Sequence, residues 1–192
     1  MKIGVLASQG AFIEHITTLE KLEVEAVPVR LPRELKGLDG LIIPGGESTT
    51  ISKLMAAYAL MDKISAMVAD GLPIFGTCAG MILMAKHISG NSVASLGLMD
   101  INVSRNAFGR QVDSFETDLS IPALGKKSFH AVFIRAPLIE SIDKSVEVLA
   151  RLKDGTIVAA KQGKMLAAAF HPELTDDTRF HKYFLGMVSG KN

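Results

Sequence analysis

Short apolar runs in the first half of this chain stop abruptly at turn-forming residues and give way to longer helical patterns. That alternation limits the fold more than any other feature of the sequence. Ile3 to Ala7 breaks at Ser8-Gln9-Gly10, Leu41 to Ile43 at Pro44-Gly45, and Pro73-Ile74-Phe75 at Gly76. Between the first of these and the strand Glu25 to Val29, Ala11 to Leu22 sets Ile16, Leu19 and Leu22 on one helical face, with Glu14, Glu20 and Lys21 elsewhere. A second helix opens at Ser48-Thr49-Thr50, with Ser48 as its expected N-cap and Ile51, Leu54 and Met55 beginning a buried stripe. Met81 to Ala85 starts another. Parallel neighbours need a crossover to return the chain to the same end of the sheet, and helices supply it, so this order of elements reads as a parallel sheet wrapped by helices.

The second half changes character. Asn102 to Phe115 is polar and contains glycine, and after it come the strand-like runs Phe129 to Ile134, Val146 to Leu152, Thr156 to Lys161 and Met165 to Phe170. Asp154-Gly155 and Gln162-Gly163-Lys164 between them are hairpin turns. The expected fold is α/β and three-layered: a mixed, mostly parallel central sheet with an antiparallel extension and helices on both faces, closed by a helix from about Asp176 to Val188. With 192 residues, 48% of them hydrophobic, the chain suits one domain over its whole length and needs no metal or disulfide to hold a core.

Charge excludes several classes of partner. The formal net charge is +1, with no basic block and no aromatic-basic interleaving, which argues against nucleic acid and against an anionic membrane surface. No apolar stretch reaches membrane-spanning length, and the run from Met1 to Ala7 is too short for a signal peptide. One cysteine forms no internal disulfide, and together these features point to a reducing cytoplasm.

That cysteine carries the chemistry. Cys78 sits in Phe75-Gly76-Thr77-Cys78-Ala79-Gly80, the form of a nucleophile elbow, in which a sharp strand-to-helix turn exposes the reactive side chain. Flanking glycines let strand and helix approach, and the amino end of the helix favours a thiolate. A lone intracellular cysteine is more commonly inert and buried, but the glycine spacing and the preceding strand reverse that expectation. His171-Pro172-Glu173 follows another strand, so His171 is the expected base for Cys78, with Glu173 orienting its imidazole. Taken alone, the tripeptide reads as a surface turn; Cys78 gives it a purpose. Pro44-Gly45-Gly46-Glu47-Ser48-Thr49-Thr50 lacks the lysine of a phosphate-binding loop, and its paired glycines suit either an oxyanion site or a plain turn. Arg105, Arg110 and Arg135 could grip a substrate carboxylate or simply be solvated. His15, His87, His130 and His181 show no zinc spacing, and no metal is expected.

Together these segments resemble the class I, triad-type glutamine amidotransferases, and within them the glutaminase subunits of pyridoxal 5'-phosphate synthases. The resemblance runs nearly end to end, through Gly4 to Gly10, Pro44 to Thr50, Phe75 to Gly80, Asn106 to Phe115, Phe133 to Pro137 and Phe170 to Leu174. The Cys and His-Pro-Glu motifs belong to the broad class. The vitamin B6 branch is marked by Pro44 to Thr50, by Gly109-Arg110-Gln111-Val112-Asp113-Ser114-Phe115 and by Phe133 to Pro137.

What the resemblance implies is a flavodoxin-like amidotransferase fold that hydrolyses L-glutamine through Cys78 as nucleophile, His171 as base and acid, and Glu173 as its partner. Glutamine contacts fall on Gly46, Glu47, Ser48, Arg105, Ile134 and Arg135. Backbone donors at Gly46 and Ala79 suit the oxyanion. No cofactor is implied, and the implied protein partner is a synthase subunit that consumes the ammonia. Gln9 is expected to couple partner docking to the oxyanion site. Ser8 stands where members of the family often carry leucine. Two other readings stay open on sequence alone: a related cysteine hydrolase, such as a peptidase or deglycase, and a non-catalytic flavodoxin-like binding module.

Overall fold

A computed structural model describes residues 1–90, 93–105 and 114–191. In chain order its elements are β1 (Lys2–Leu6), α1 (Phe12–Lys21), β2 (Glu25–Val29), β3 (Gly40–Ile43), α2 (Ser48–Ala57), α3 (Met61–Ala69), β4 (Ile74–Thr77) and α4 (Ala79–Met84). These are followed by β5 (Ala85–Ser89), β6 (Met99–Ser104), β7 (Ser114–Leu119), β8 (Phe129–Ile134), β9 (Leu138–Ile142), β10 (Glu147–Arg151), β11 (Ile157–Gln162), β12 (Met165–Ala168) and α5 (Arg179–Val188).

The main sheet runs β2-β1-β3-β4-β12-β11-β9-β6-β5, with β10 added against β11. From β2 to β12 every neighbouring pair is parallel. Beyond β12 the pairings with β11, β9, β6 and β10 are antiparallel, and β5 lies parallel to β6. This is the mixed sheet with an antiparallel extension that the sequence predicts. β3 and β4 are buried along their whole length, as strands covered on both faces must be.

Strand order decides where a site forms. From β1 the chain moves outward to β2, then returns to the other side of β1 for β3 and β4. Right-handed crossovers running in opposite directions place α1 and α2 on opposite faces, and a crevice opens at the carboxyl ends of β1 and β3. The ends of β4 and β12 lie at that same edge, since all four strands are parallel.

The core is aromatic where the carboxy-terminal helix meets the sheet. Phe75 of β4 packs against Phe180 and Phe184 of α5, with ring centroids 5.6 Å apart in each pair. Phe129 and Phe133 of β8 each lie 5.6 Å from Phe170, and this ties the separate β7-β8 hairpin to the end of β12.

Several boundaries differ from the sequence reading. Ser48 is the first residue of α2 rather than its cap; the cap is Glu47, whose carboxylate accepts from the Thr49 N–H at 3.4 Å and the Thr49 hydroxyl at 2.8 Å. The helix behind Cys78 begins at Ala79, is short, and passes directly into β5 where the sequence suggests continued helix. The final helix begins at Arg179 because Asp177 turns back to accept from the Arg179 N–H at 3.1 Å. The strands β5, β6, β7 and β9 and the helix α3 are absent from that reading. Arg110 and most of the Asn106 to Phe115 string lie outside the described residues.

The two elbow glycines have the steric role their spacing suggests. A Cβ on Gly76 would fall 2.6 Å from Met84 Sδ and from the Gly80 carbonyl carbon, and one on Gly80 would overlap the Ile43 carbonyl. Gly80→Ala is therefore expected to lower unfolding free energy by about 2 kcal/mol or more, as overpacking against fixed backbone does. Chemical denaturation measures it; an unchanged midpoint would show that α4 does not need to sit this close to β3.

Candidate active site

The edge where β1, β3, β4 and β12 end gathers residues that are remote in sequence. Thr77 of β4 pairs with Ala168 of β12, and the Cys78 N–H donates to the Ala168 carbonyl at 2.8 Å, so the two chains leave the sheet side by side. Cys78 follows immediately from one strand and His171 shortly after the other. The His171 N–H is held in turn by the Val132 carbonyl of β8 at 2.8 Å. Hairpin and sheet thus fix the histidine from two sides.

Cys78 adopts φ 48°, ψ −105°, on the left-handed side where a Cβ is crowded by its own backbone. Such a conformation costs about 1–3 kcal/mol and persists only where the surroundings impose it. Here the Ala168 hydrogen bond and the tight fit of α4 impose it. Its sulfur is almost buried and lies 3.9 Å from the Ile134 carbonyl oxygen. Arg135, the next residue, also takes a positive φ, 42°.

His171 and Glu173 form a buried pair, with Nδ1 of the ring 2.7 Å from Oε1 of the carboxylate. Burial opposes charging the imidazole, but its interactions with the Cys78 sulfur and the Glu173 carboxylate prevail and raise His171 to about 10. Burial likewise works to raise Glu173, yet neighbouring His15 and the bond to His171 hold it below the usual carboxylate range. The result is an ionised carboxylate gripping a protonated imidazole beside the Cys78 sulfur.

Gly45 makes this packing possible. A Cβ on Gly45 would overlap Cε1 of His171 and stand 3.2 Å from Cβ of Cys78, so both side chains crowd this one backbone position. The sequence reading weighed Gly45 only as one of two paired glycines suited to an oxyanion site or a plain turn. The paired glycines gave a signal for it, since an oxyanion loop and a close backbone approach demand the same residue.

Beside the triad lies a cavity of about 290 Å³, lined by Gln9, Gly46, Glu47, Ser48, Cys78, Ile82, Arg105, Ile134, Arg135 and His171. Every residue expected to touch substrate lines it, and Ile82 is the addition. Arg105 Nη2 stands 3.5 Å from Glu47 Oε1, and Glu47 is held below its usual range by the Thr49 hydroxyl, with Arg105 and Arg135 adding to the effect. The wall thus carries both signs of charge, suited to a small zwitterion. Gln9 reaches across from the loop after β1, its Oε1 accepting from the Glu47 N–H at 2.8 Å. The Gly45 carbonyl accepts from the Ala11 N–H at 3.0 Å, which turns the N–H of that peptide, on Gly46, the opposite way. The Ser8 hydroxyl oxygen is buried with no hydrogen-bond partner among the described residues.

Residues 5–190 match the SNO glutamine amidotransferase family. The chain is 60% identical over 190 residues to a protein of Herpetosiphon aurantiacus named pyridoxal 5'-phosphate synthase subunit PdxT, covering 97% of this chain and 100% of that one. It is 59% identical over 188 residues to the protein of the same name from Moorella thermoacetica, covering 98% and 100%. A crystal structure described as a glutamine amidotransferase superposes with a TM-score of 0.93 at 51% identity, covering 98% of this chain and 100% of that one. PurLQS from Thermotoga maritima, at 17% identity, a TM-score of 0.70 and 96% and 97% coverage, shares the fold.

Because Gly45 leaves room for the imidazole, Gly45→Ala is expected to push the ring away from Cys78. The His171 titration midpoint, followed by NMR, then falls from about 10 toward 6.5 as burial loses its opposition. A midpoint that stays in place would mean the ring does not depend on this contact.

Proposed function

The chain belongs to the SNO glutamine amidotransferase family, and from that membership we propose that it is the glutaminase of a pyridoxal 5'-phosphate synthase. It hydrolyses L-glutamine to L-glutamate and ammonia and hands the ammonia to a synthase subunit. The observation that carries this reading is that Cys78 and His171, the latter bound to Glu173 behind it, line one cavity whose wall offers both arginine and glutamate. The whole chain acts as one domain around one continuous core. None of the described helices is long and apolar enough to cross a membrane, and a free thiol as nucleophile fits a reducing cytoplasm.

The chemistry follows from the positions. The Cys78 thiolate attacks the side-chain carboxamide carbon of glutamine, and the carbonyl oxygen becomes an oxyanion. The Gly46 N–H, turned away from the α1 loop, and the Ala79 N–H, in the first turn of α4 where N–H groups lack an intrahelical acceptor, are the donors assigned to it. His171 already holds a proton and delivers it to the leaving nitrogen as the C–N bond breaks, which yields ammonia and a glutamyl thioester on Cys78. Now neutral, His171 takes a proton from water, whose oxygen attacks the thioester carbon and releases glutamate. Glu173 stays ionised throughout and stabilises each protonated state of the ring. Glu47, Ser48, Ile134, Arg105 and Arg135 are assigned to the amino-acid end of the substrate, where the arginines match its α-carboxylate and Glu47 its α-ammonium.

Gln9 links this site to the surface. Its bond to the Glu47 N–H braces the loop carrying Gly46, so a partner that moves the loop after β1 would move the oxyanion donor with it.

Glutamate release in the presence of the synthase subunit tests the assignment. Cys78→Ala is expected to fold and to lose turnover by at least about three orders of magnitude. Gln9→Ala is expected to lose most of the stimulation by the synthase. Turnover retained by Cys78→Ala would overturn the nucleophile, and stimulation retained by Gln9→Ala would overturn the coupling.

A further inference from the structure

Behind the triad lie three buried polar side chains that the mechanism leaves unused: His15 on α1, Thr77 at the end of β4 and His181 on α5. They are continuous with it. His15 Nε2 lies 3.3 Å from Glu173 Oε2 and 3.1 Å from Thr77 Oγ1, while His15 Nδ1 is 2.9 Å from His181 Nε2. Glu173 spends Oε1 on His171, and its other oxygen is buried with no hydrogen bond directed at it among the described residues. Leaving half of a buried carboxylate uncompensated is costly. The His15 ring nitrogen is the polar group brought against it.

The proton arrangement follows from elimination. Both rings are neutral: burial pulls His15 below 6.5, against the opposing pull of Glu173, and burial together with His15 pulls His181 to about 3. His171 and Glu14 are the other ionisable groups acting on His15, with opposite signs. A neutral imidazole carries one N–H and one lone pair. A lone pair on His15 Nε2 would face a carboxylate oxygen at 3.3 Å, whereas an N–H there presents positive charge to that oxygen and to Thr77. Nδ1 of His15 is then an acceptor, and the His181 Nε2–H is its donor. That leaves His181 Nδ1 without a hydrogen-bond partner among the described residues, and a bare lone pair costs less there than an orphaned N–H.

We propose that His15, locked by His181 into the tautomer bearing hydrogen on Nε2, is a positioning residue of the triad. It steadies the outer oxygen of Glu173, so that the carboxylate stays ionised and its inner oxygen keeps His171 charged and aimed at Cys78. The arrangement spans α1, β4 and α5 and rests on the glutaminase reading above.

The experiment uses the full chain with its synthase subunit. In the wild type, nitrogen-15 correlation spectra of labelled histidines are expected to report His15 and His181 as neutral with hydrogen on Nε2. His15→Phe, which removes the polar nitrogen facing Oε2, is expected to lower kcat for glutamate release by about ten- to a hundredfold, the cost of leaving a buried charged oxygen without its polar neighbour, with KM little changed. It also lowers the His171 midpoint. His15→Gln, whose amide N–H reaches the same place, recovers most of both, and His181→Phe has a weaker effect in the same direction. The proposal is overturned by hydrogen on Nδ1 of wild-type His15, by a folded His15→Phe with unchanged kcat and His171 midpoint, or by equal impairment of the Gln and Phe variants. Should His15→Phe fail to fold, the wild-type tautomers and His15→Gln still decide. A wild type that releases no glutamate would refute the glutaminase reading instead, while tautomers and midpoints continue to report on His15.

Discussion

Parallel pairing of β4 with β12 turns distant residues into a site. The register sets Thr77 beside Ala168, and the Cys78 N–H closes onto the Ala168 carbonyl at 2.8 Å, so Cys78 and the strand leading to His171 leave the sheet from one point. A slip of one residue would turn every side chain of β12 to the opposite face and carry His171 away with it. The burial of β12 from Leu166 to Ala168 and the aromatic seal of Phe129, Phe133 and Phe170 hold that register against slippage.

Close packing then does for geometry what burial does for charge. Gly76, Gly80 and Gly45 remove the Cβ atoms that would keep strand, helix and imidazole apart, and Cys78 carries the strain of a positive φ in return. In the same small volume, burial would neutralise both His171 and Glu173 if either stood alone; together they stay charged. The signs of their shifts bound the pH range of that support. Glu173, held low, contributes stability above the ordinary carboxylate range and loses it as pH falls through its folded value. His171, held high, contributes fully below 6.5 and loses it as pH rises through about 10.

The triad was legible because each member is framed by residues whose backbone needs are visible in sequence: glycines around Cys78, and a proline fixing His171 against Glu173. The first four strands were legible because apolar runs stop at Gly, Pro or Ser. Less was visible where polar residues interrupt the pattern. Met99, Ile101 and Val103 alternate inward along β6, a usable period, but Asp100 and Asn102 between them read as loop. Leu138 to Ile142 was masked in the same way by Glu140 and Ser141. The support behind Glu173 left no local trace at all. His15 and His181 meet only because α1 and α5 cover the same face of the sheet, and no spacing along the chain encodes that contact.

The central claim is that sulfur, imidazole and carboxylate act as one unit on glutamine. Labelling the intact protein with a glutamine-mimicking electrophile and locating the adduct by mass spectrometry tests it most directly. The account predicts a single adduct on Cys78, suppressed by glutamine and nearly lost in His171→Asn. An adduct elsewhere, or one on Cys78 that forms equally well without the His171 ring, would contradict it.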